Sequence, residues 1–490
     1  MVLSKSILAQ KSIFPIRLFL MGYSICAGAM RCGVGKSESM HRMSVFEAFC
    51  FLLISFTYRC NGLFFTFIKK SYFSAKIMSY GKISTMQRQL LLLLTGILLF
   101  GVLPAQTPTL WRGPQGDGIY REETGLLKVW PENGPEVLWH YDSLGIGFSS
   151  PALANNKIYL TGMVDSIGYL FVLDRNGSLQ YKLPYGKEWT ISYGGARSTP
   201  TIAGHRIYVY SGHGLITCFN DNTRGVEWTM NVIDQLGGVN IKWGVTESLV
   251  VDGDMLYVSP GGPENNIVAL NRYTGDLIWS TPARGDISGY CTPRIISLPK
   301  RKILVTMMSD YVVGVDAITG EYLWSHLHQN RWAVQANTIL YADNRIVFFS
   351  GYGKGGGQLL VDDNGKLLKE VWFQEQFDSK MGGAVLLNGW LFGSGDKYRG
   401  WMAVDWKTGQ QNFYDKESLA KGVVIAADGL LYCYSEKGEL ALVNPDPERL
   451  DIISQTKVEF GTEQHWAHPV IDKGILFVRH GNALIAYKIK

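Results

Sequence analysis

The chain has 490 residues, 46% of them hydrophobic and 18% charged, with a formal net charge of +5. That balance excludes a disordered or collagen-like chain, and 55 glycines with 14 tryptophans and 25 tyrosines point to a turn-rich, aromatic β protein. The mild basicity invites a nucleic-acid reading, but residues 1–105 hold 12 Lys/Arg against Glu38 and Glu47, leaving 35 of the 47 basic and 40 of the 42 acidic residues, a balance of −5, to the remainder.

In chain order, residues 86–106 read MQRQLLLLLTGILLFGVLPAQ. Arg88, an apolar run over residues 90–103 and the small Ala105 predict a signal peptide at residues 86–105, cleaved after Ala105. The run is shorter than the ~20 residues a spanning helix needs. The expected location is therefore periplasmic or secreted, with no transmembrane segment in the mature protein. A signal peptide works at a true start, so residues 1–85 read as an upstream extension outside the working protein, with Met86 or Met78 as the start. The alternative is a membrane segment at residues 44–57, which is short and carries Glu47, costly in hydrocarbon.

A leader (residues 106–134) precedes a repeat that fills residues 135–490. One phrase recurs: Asp or Asn, then Thr-Gly, then an aromatic four residues after the glycine. It stands at Asn271 to Gly275 and Trp279, at Asp316 to Gly320 and Trp324, and at Asp405 to Gly409 and Phe413. Asn220 to Trp228 carries Arg224 in place of the glycine, shorter forms run from Asp174 to Tyr181 and from Asp363 to Trp372, and the weakest copy starts at Asn444. Asx-x-x-Thr-Gly supplies the bonds and the positive φ of a hairpin turn. The aromatic then lies in the outer strand, facing the next unit. Upstream of each phrase lies a pair of short alternating strands, such as residues 206–210 with 215–219. Four strands every 40–50 residues is the pattern of a β-propeller blade.

A second repeat marks the innermost strand. Its copies begin at Phe148, Tyr193, Trp243, Tyr290, Trp332, Met381, a degenerate Lys421 and Trp466, giving eight units. The chain ends on a third strand at residues 482–488 with no fourth after it, while residues 135–141 form an orphan strand carrying Trp139. Pairing the two closes the ring and removes an edge. The fold class is therefore all-β, an eight-bladed propeller of four-stranded blades. Trp139, Trp228, Trp279, Trp324, Trp372 and Phe413 are its structural docking aromatics.

The phrase ending Asp316-Ala-Ile-Thr-Gly320-Glu-Tyr-Leu-Trp324 resembles the tryptophan-docking motif of eight-bladed quinoprotein-type propellers, the pyrroloquinoline quinone (PQQ)-like repeat family. The leader phrases Trp111-Arg-Gly-Pro-Gln-Gly-Asp117, Gly125 to Trp130 and Gly134 to Trp139 look like the opening segment of exported bacterial members. The resemblance covers residues 110–490. It implies one of two roles: a PQQ- and calcium-dependent alcohol or sugar dehydrogenase, or a non-catalytic propeller like the subunit of the outer-membrane β-barrel assembly machine. The alcohol dehydrogenases of the family carry adjacent cysteines beside the cofactor. Here Cys218, Cys291 and Cys433 fall in three different blades, and no Cys-x-x-Cys-His is present to attach a haem.

The axial mouth is the candidate site. Tyr193, Trp243, Tyr290, Trp332 and Trp466 should gather there, with Arg197, Glu247, Gln335, Asn337, Lys380, His465 and His468 beside them. Convergent aromatics with a few polar groups suit a small-molecule ligand, and stacking tryptophans with Arg and Lys suit a planar tricarboxylate such as PQQ. Glu247 and Asn337 are the weak candidates for calcium. No residue is assigned a catalytic role. The expectation is a monomeric binding or interaction module for a small molecule or an envelope protein, without nucleic acid. The Gly351–Gly356 match to G-x-G-x-x-G lacks a following helix, and His326-Leu-His328 lacks further ligands.

Overall fold

The computed structural model describes residues 107–490, so the predicted signal peptide and the segment before it lie outside the described residues. Eight sheets stand around one axis, seven of four strands and one of five. In chain order the blades span residues 152–187, 201–231, 250–281, 294–327, 340–374, 384–415, 422–457 and 470–488. The first strand of each lies innermost, at one edge of its sheet in every blade but the seventh. The eighth blade takes its outer strand from the leader side: β2 (Val137–Tyr141) pairs antiparallel with the last strand, Trp139 opposite Ala486 and Tyr141 opposite Leu484. The expected ring closure is therefore present. A short leader strand, β1 (Ile119–Tyr120), adds to blade seven in parallel with its inner strand.

Middle strands are covered on both faces by neighbouring blades, so they read as continuous apolar runs. Leu430–Ser435, for example, is buried throughout. Outer strands are mostly exposed or half-buried: in Val226–Asn231 only Trp228 is buried. That single aromatic is set by a β-bulge. In all eight blades the register slips just before the docking position, as between Leu277 and Trp279 or between Tyr322 and Trp324. The bulge re-aims the side chain toward the next blade.

The turn phrase receives it. Asp316 Oδ1 accepts from the Ile318 and Thr319 amides at 2.8 Å, and the Gly320 amide donates to the Asp316 carbonyl at 2.9 Å. Gly320 has φ +76°, and a Cβ there would stand 2.5 Å from the Trp279 ring of the preceding blade. The Trp279 indole N–H donates to the Ala317 carbonyl in the same turn. Trp139, Trp228, Trp324 and Trp372 likewise donate to Arg175, Arg272, Gly365 and Trp406.

Three junctions depart from the pattern: Phe413 has no N–H to donate and meets a turn, Asn444-Pro-Asp-Pro447, without the Thr-Gly pair, and the other two are compensated. Where Arg224 replaces the glycine, the docking residue is Tyr181, with the guanidinium 4.9 Å above its ring; its hydroxyl donates to Asp221. In blade seven the docking position is Ser454, and its hydroxyl accepts from the amide of Trp130. Trp130 comes from the leader and is buried among residues of blades seven and eight.

Trp279→Ala should cost about 3–5 kcal/mol in denaturant unfolding, as buried tryptophan truncations do. Gly320→Ala should also destabilise, through its φ and the ring it meets. Phe413→Ala, at a half-buried position, should cost clearly less than Trp279→Ala.

Candidate functional site

The inner strands start with small hydroxyl residues because they crowd the axis. These form a ladder: the Ser150 amide donates to Thr199 Oγ1, the Thr199 amide to Ser248 Oγ, and the Ser248 amide to Thr292 Oγ1, each at 3.0–3.1 Å. The leader crosses one end of the channel they surround. Trp111 Nε1 donates to Ser150 Oγ, and Thr109 pairs with the Ile202 backbone. The buried Arg112 guanidinium donates to the Ala384 and Val424 carbonyls, and Arg294 reaches the Gly116 carbonyl. The leader thus touches the inner strands of blades one, two, four, six and seven, and Trp111 lies edge-on to His468 of blade eight at 5.0 Å.

The result is a cup of about 380 Å³ with Trp111 and His468 among its lining residues. Of the candidates from sequence, Tyr193, Arg197, Trp243, Tyr290, Trp332, Lys380, Trp466 and His468 line it. Phe148, Tyr352 and Met381 join them; Phe148 and Met381 stand at repeat starts already visible in the sequence. Trp466 packs on Phe148 at 4.9 Å and on Tyr193 at 5.5 Å, and Trp243 on Trp332 at 6.2 Å.

Glu247, Gln335 and Asn337 lie behind the wall. Lining residues on these strands alternate, as in Thr246 and Ser248 or Trp332, Val334 and Ala336, so the residues between them point away from the axis. Glu247 accepts from the Ser259 amide at 2.7 Å, and burial pushes its carboxyl up to about 8. Gln335 donates to the Ser309 and His328 carbonyls, and Asn337 bonds across to Ser379 and Gly383 of the next blade. His465 also sits outside the cup, with its ring stacked on His480 at 3.7 Å.

Three of the non-glycine residues that shape the mouth have left-handed backbones: Tyr193 (φ +55°), Tyr290 (φ +70°) and Ala333 (φ +56°). Neighbours hold them there. Arg197 donates to the carbonyls of Tyr193 and Trp243, the Trp243 amide donates to the Tyr290 hydroxyl, and the Trp332 amide to Asn330 Oδ1.

The electrostatics run against those of the body. Lys242 lies over Trp243 and Trp332 at 4.8 and 4.3 Å, Arg331 over Trp332 at 4.9 Å, and Lys380 over Tyr352 and Trp466 at 5.8 Å each. Among the described residues these three and Arg197 form no ion pair; the nearby Asp396 and Glu436 pair with Lys421 instead. No carboxylate or side-chain amide lines the cup. His468 donates from Nε2 to the Met381 carbonyl, and burial with Arg112 nearby holds its pKa down to about 3.

A family model described as outer membrane protein assembly factor BamB matches residues 212–447. Over those residues the chain is similar to the PQQ-like repeat family. Similar solved structures include BamB from Moraxella catarrhalis (11% identity, TM-score 0.53, covering 72% of this chain and 100% of that one). Quinohemoprotein alcohol dehydrogenase from Comamonas testosteroni matches at 10% identity and TM-score 0.54, covering 76% of this chain and 79% of that one. A europium-containing methanol dehydrogenase matches at 11% identity and TM-score 0.56, covering 79% and 92%. No curated protein matches the chain.

Tested against PQQ and calcium, the cup fits only half the pair. Stacking rings and unpaired cations suit a planar polycarboxylate. Calcium requires a cage of oxygen ligands, and the cup lining supplies hydroxyls without carboxylates; among the described residues no group of three His, Cys, Asp or Glu side chains could hold a metal ion. The sequence candidates Glu247 and Asn337 are spent behind the wall.

The buried Glu247 gives a pH test. Its folded value, raised above the ordinary 4.5 to about 8, means the native state binds the extra proton between those values, so its contribution to stability falls as pH rises through that window. Glu247→Gln should flatten the loss of unfolding free energy between about pH 5 and pH 8, read as denaturation midpoints across that range.

Proposed function

We propose that this propeller is an exported binding module that holds a planar, anionic small molecule in its axial cup without turning it over. The observation that carries the reading is the cup itself: aromatic walls, Arg197 and Lys380 in the lining with Lys242 and Arg331 over its tryptophans, all free of carboxylate partners, and a floor crossed by the leader. Its volume suits one small ligand, and strained backbone held by neighbours is the form a preorganised site takes. The apolar run at residues 90–103 supports export. Dehydrogenation of an alcohol needs a group to accept the hydroxyl proton, and the lining offers no carboxylate for it. The names of the similar proteins, an outer-membrane assembly factor and alcohol dehydrogenases, are compatible with either role; the chemistry of the cup favours binding.

Were PQQ the ligand, Trp243, Trp332 or Trp466 would stack its rings and Arg197 and Lys380 would meet its carboxylates. When bound, PQQ supplies a two-electron acceptor. Tryptophan-fluorescence titration of the purified protein should show saturable quenching by PQQ and much weaker quenching by the uncharged quinone menadione. Lys380→Ala should weaken PQQ binding about tenfold, the scale of one charge-assisted contact. Added calcium should change neither affinity nor dye reduction with alcohols and sugars. Equal binding of the two quinones would refute the anionic ligand, and turnover would refute the non-catalytic role.

A further inference from the structure

His480 ends the strand Ile475–His480 of blade eight and is 8% exposed. Both of its ring nitrogens meet backbone carbonyls: Nδ1 lies 2.7 Å from the Phe460 oxygen and Nε2 2.9 Å from the Glu463 oxygen. A carbonyl only accepts, so both bonds require N–H on both nitrogens, which only the charged imidazolium has. The two acceptors belong to the loop of residues 458–465, which joins blade seven to Trp466 in the cup wall. Gly461 (φ +95°) lets that loop come close, since a Cβ there would meet the His480 carbonyl at 2.2 Å.

We infer that His480 is a proton-operated latch on the loop that carries Trp466, so that the affinity of the cup depends on the protonation of a residue outside it. This rests on the cup being the binding site. With the ring charged, two charge-assisted bonds hold the loop. With the ring neutral, one bond is lost and a lone pair faces a carbonyl oxygen, so the loop loosens and Trp466 leaves its place against Phe148 and Lys380.

The surroundings let the ring act alone. His465, stacked on it, is pushed down to about 4 by burial and by the His480 and Lys457 charges, so it stays neutral; its Nδ1 faces the Tyr434 hydroxyl. His140 stacks on Phe460 at 4.0 Å and pairs with Asp142. Glu463 lies in the loop itself, near Gly481. Arg479, next in the strand, is committed to Gly481, Ser149 and Thr161.

The test uses the whole protein with PQQ as probe. As pH rises from about 5.5 to 8.5, the range in which histidines change charge, PQQ affinity should fall about tenfold, the scale of one hydrogen bond to a charged group. Nitrogen-15 spectra should show His480 protonated on both ring nitrogens at the acid end and losing one proton with the same midpoint. His480→Gln, with a single amide donor group and no titration, should bind weakly at every pH, whereas His140→Gln should keep the wild-type profile. A His480 ring singly protonated throughout, or a His480→Gln variant with the wild-type pH profile, would overturn the latch. Should PQQ fail to bind at all, the cup reading falls, while the ring titration and the Trp466 indole resonance still report on the latch.

Discussion

The structure depends on one contact repeated around the ring: an indole from the outer strand of one blade lying on the turn glycine of the next, its N–H on a carbonyl of the same turn. Three local features must coincide for it. The bulge turns the aromatic out of the strand plane, the Asx-x-x-Thr-Gly turn offers a carbonyl, and the glycine has no Cβ to hold the ring away. Gly177, Gly275, Gly320 and Gly409 each lie so close to the preceding tryptophan that an added Cβ would stand within 2.8 Å of its ring. Each buried indole removes a large apolar area from water, and each contact joins two sheets that share no backbone pairing. Three junctions lack the indole, at Tyr181, Phe413 and Ser454, and the first and last argue for the rule. Arg224 displaces the glycine and brings a tyrosine with a different geometry, while Ser454 abandons the aromatic and a leader tryptophan takes over.

That last exception gives the leader a role beyond connection. It supplies Trp130 at the junction of blades seven and eight and Trp111 and Arg112 across the channel, and it runs directly into β2 at the open edge of blade eight. Blade eight is the one blade assembled from both ends of the repeat, and Trp130 packs among residues of that blade and the seventh. Seal and closure come from one segment. By crossing the axis, the leader also converts a channel into a cup, so the geometry that completes the fold creates the cavity.

Much of this is legible in the sequence. The period, the docking aromatics, the ring closure and the gathering of Tyr193, Trp243, Tyr290, Trp332 and Trp466 follow from spacing, because each unit is built by local rules. Glu247, Gln335 and Asn337 mark the limit. They stand one residue from the lining positions, and a side-chain period of two sends them to the opposite face. Spacing between units cannot fix that parity when the loop before each inner strand varies in length. The path of the leader is hidden for a related reason: it has no period and is specified by contacts hundreds of residues apart, as between Arg112 and the Ala384 and Val424 carbonyls.

The walls of the cup are not all held in the same way. The loop of Tyr193 and that of Trp243 are tied by the Arg197 guanidinium, which keeps its charge; Trp332 is held by the neutral amide of Asn330; Tyr290 is fixed between blades. Left-handed residues cost free energy and persist only where such ties over-determine them. None of these ties changes with pH in the neutral range. The loop before Trp466 is the exception, because one of the groups that hold it, His480, gives up a bond when it loses a proton. With the backbones of the other walls tied in this way, the loss of one wall passes directly into the shape of the cup.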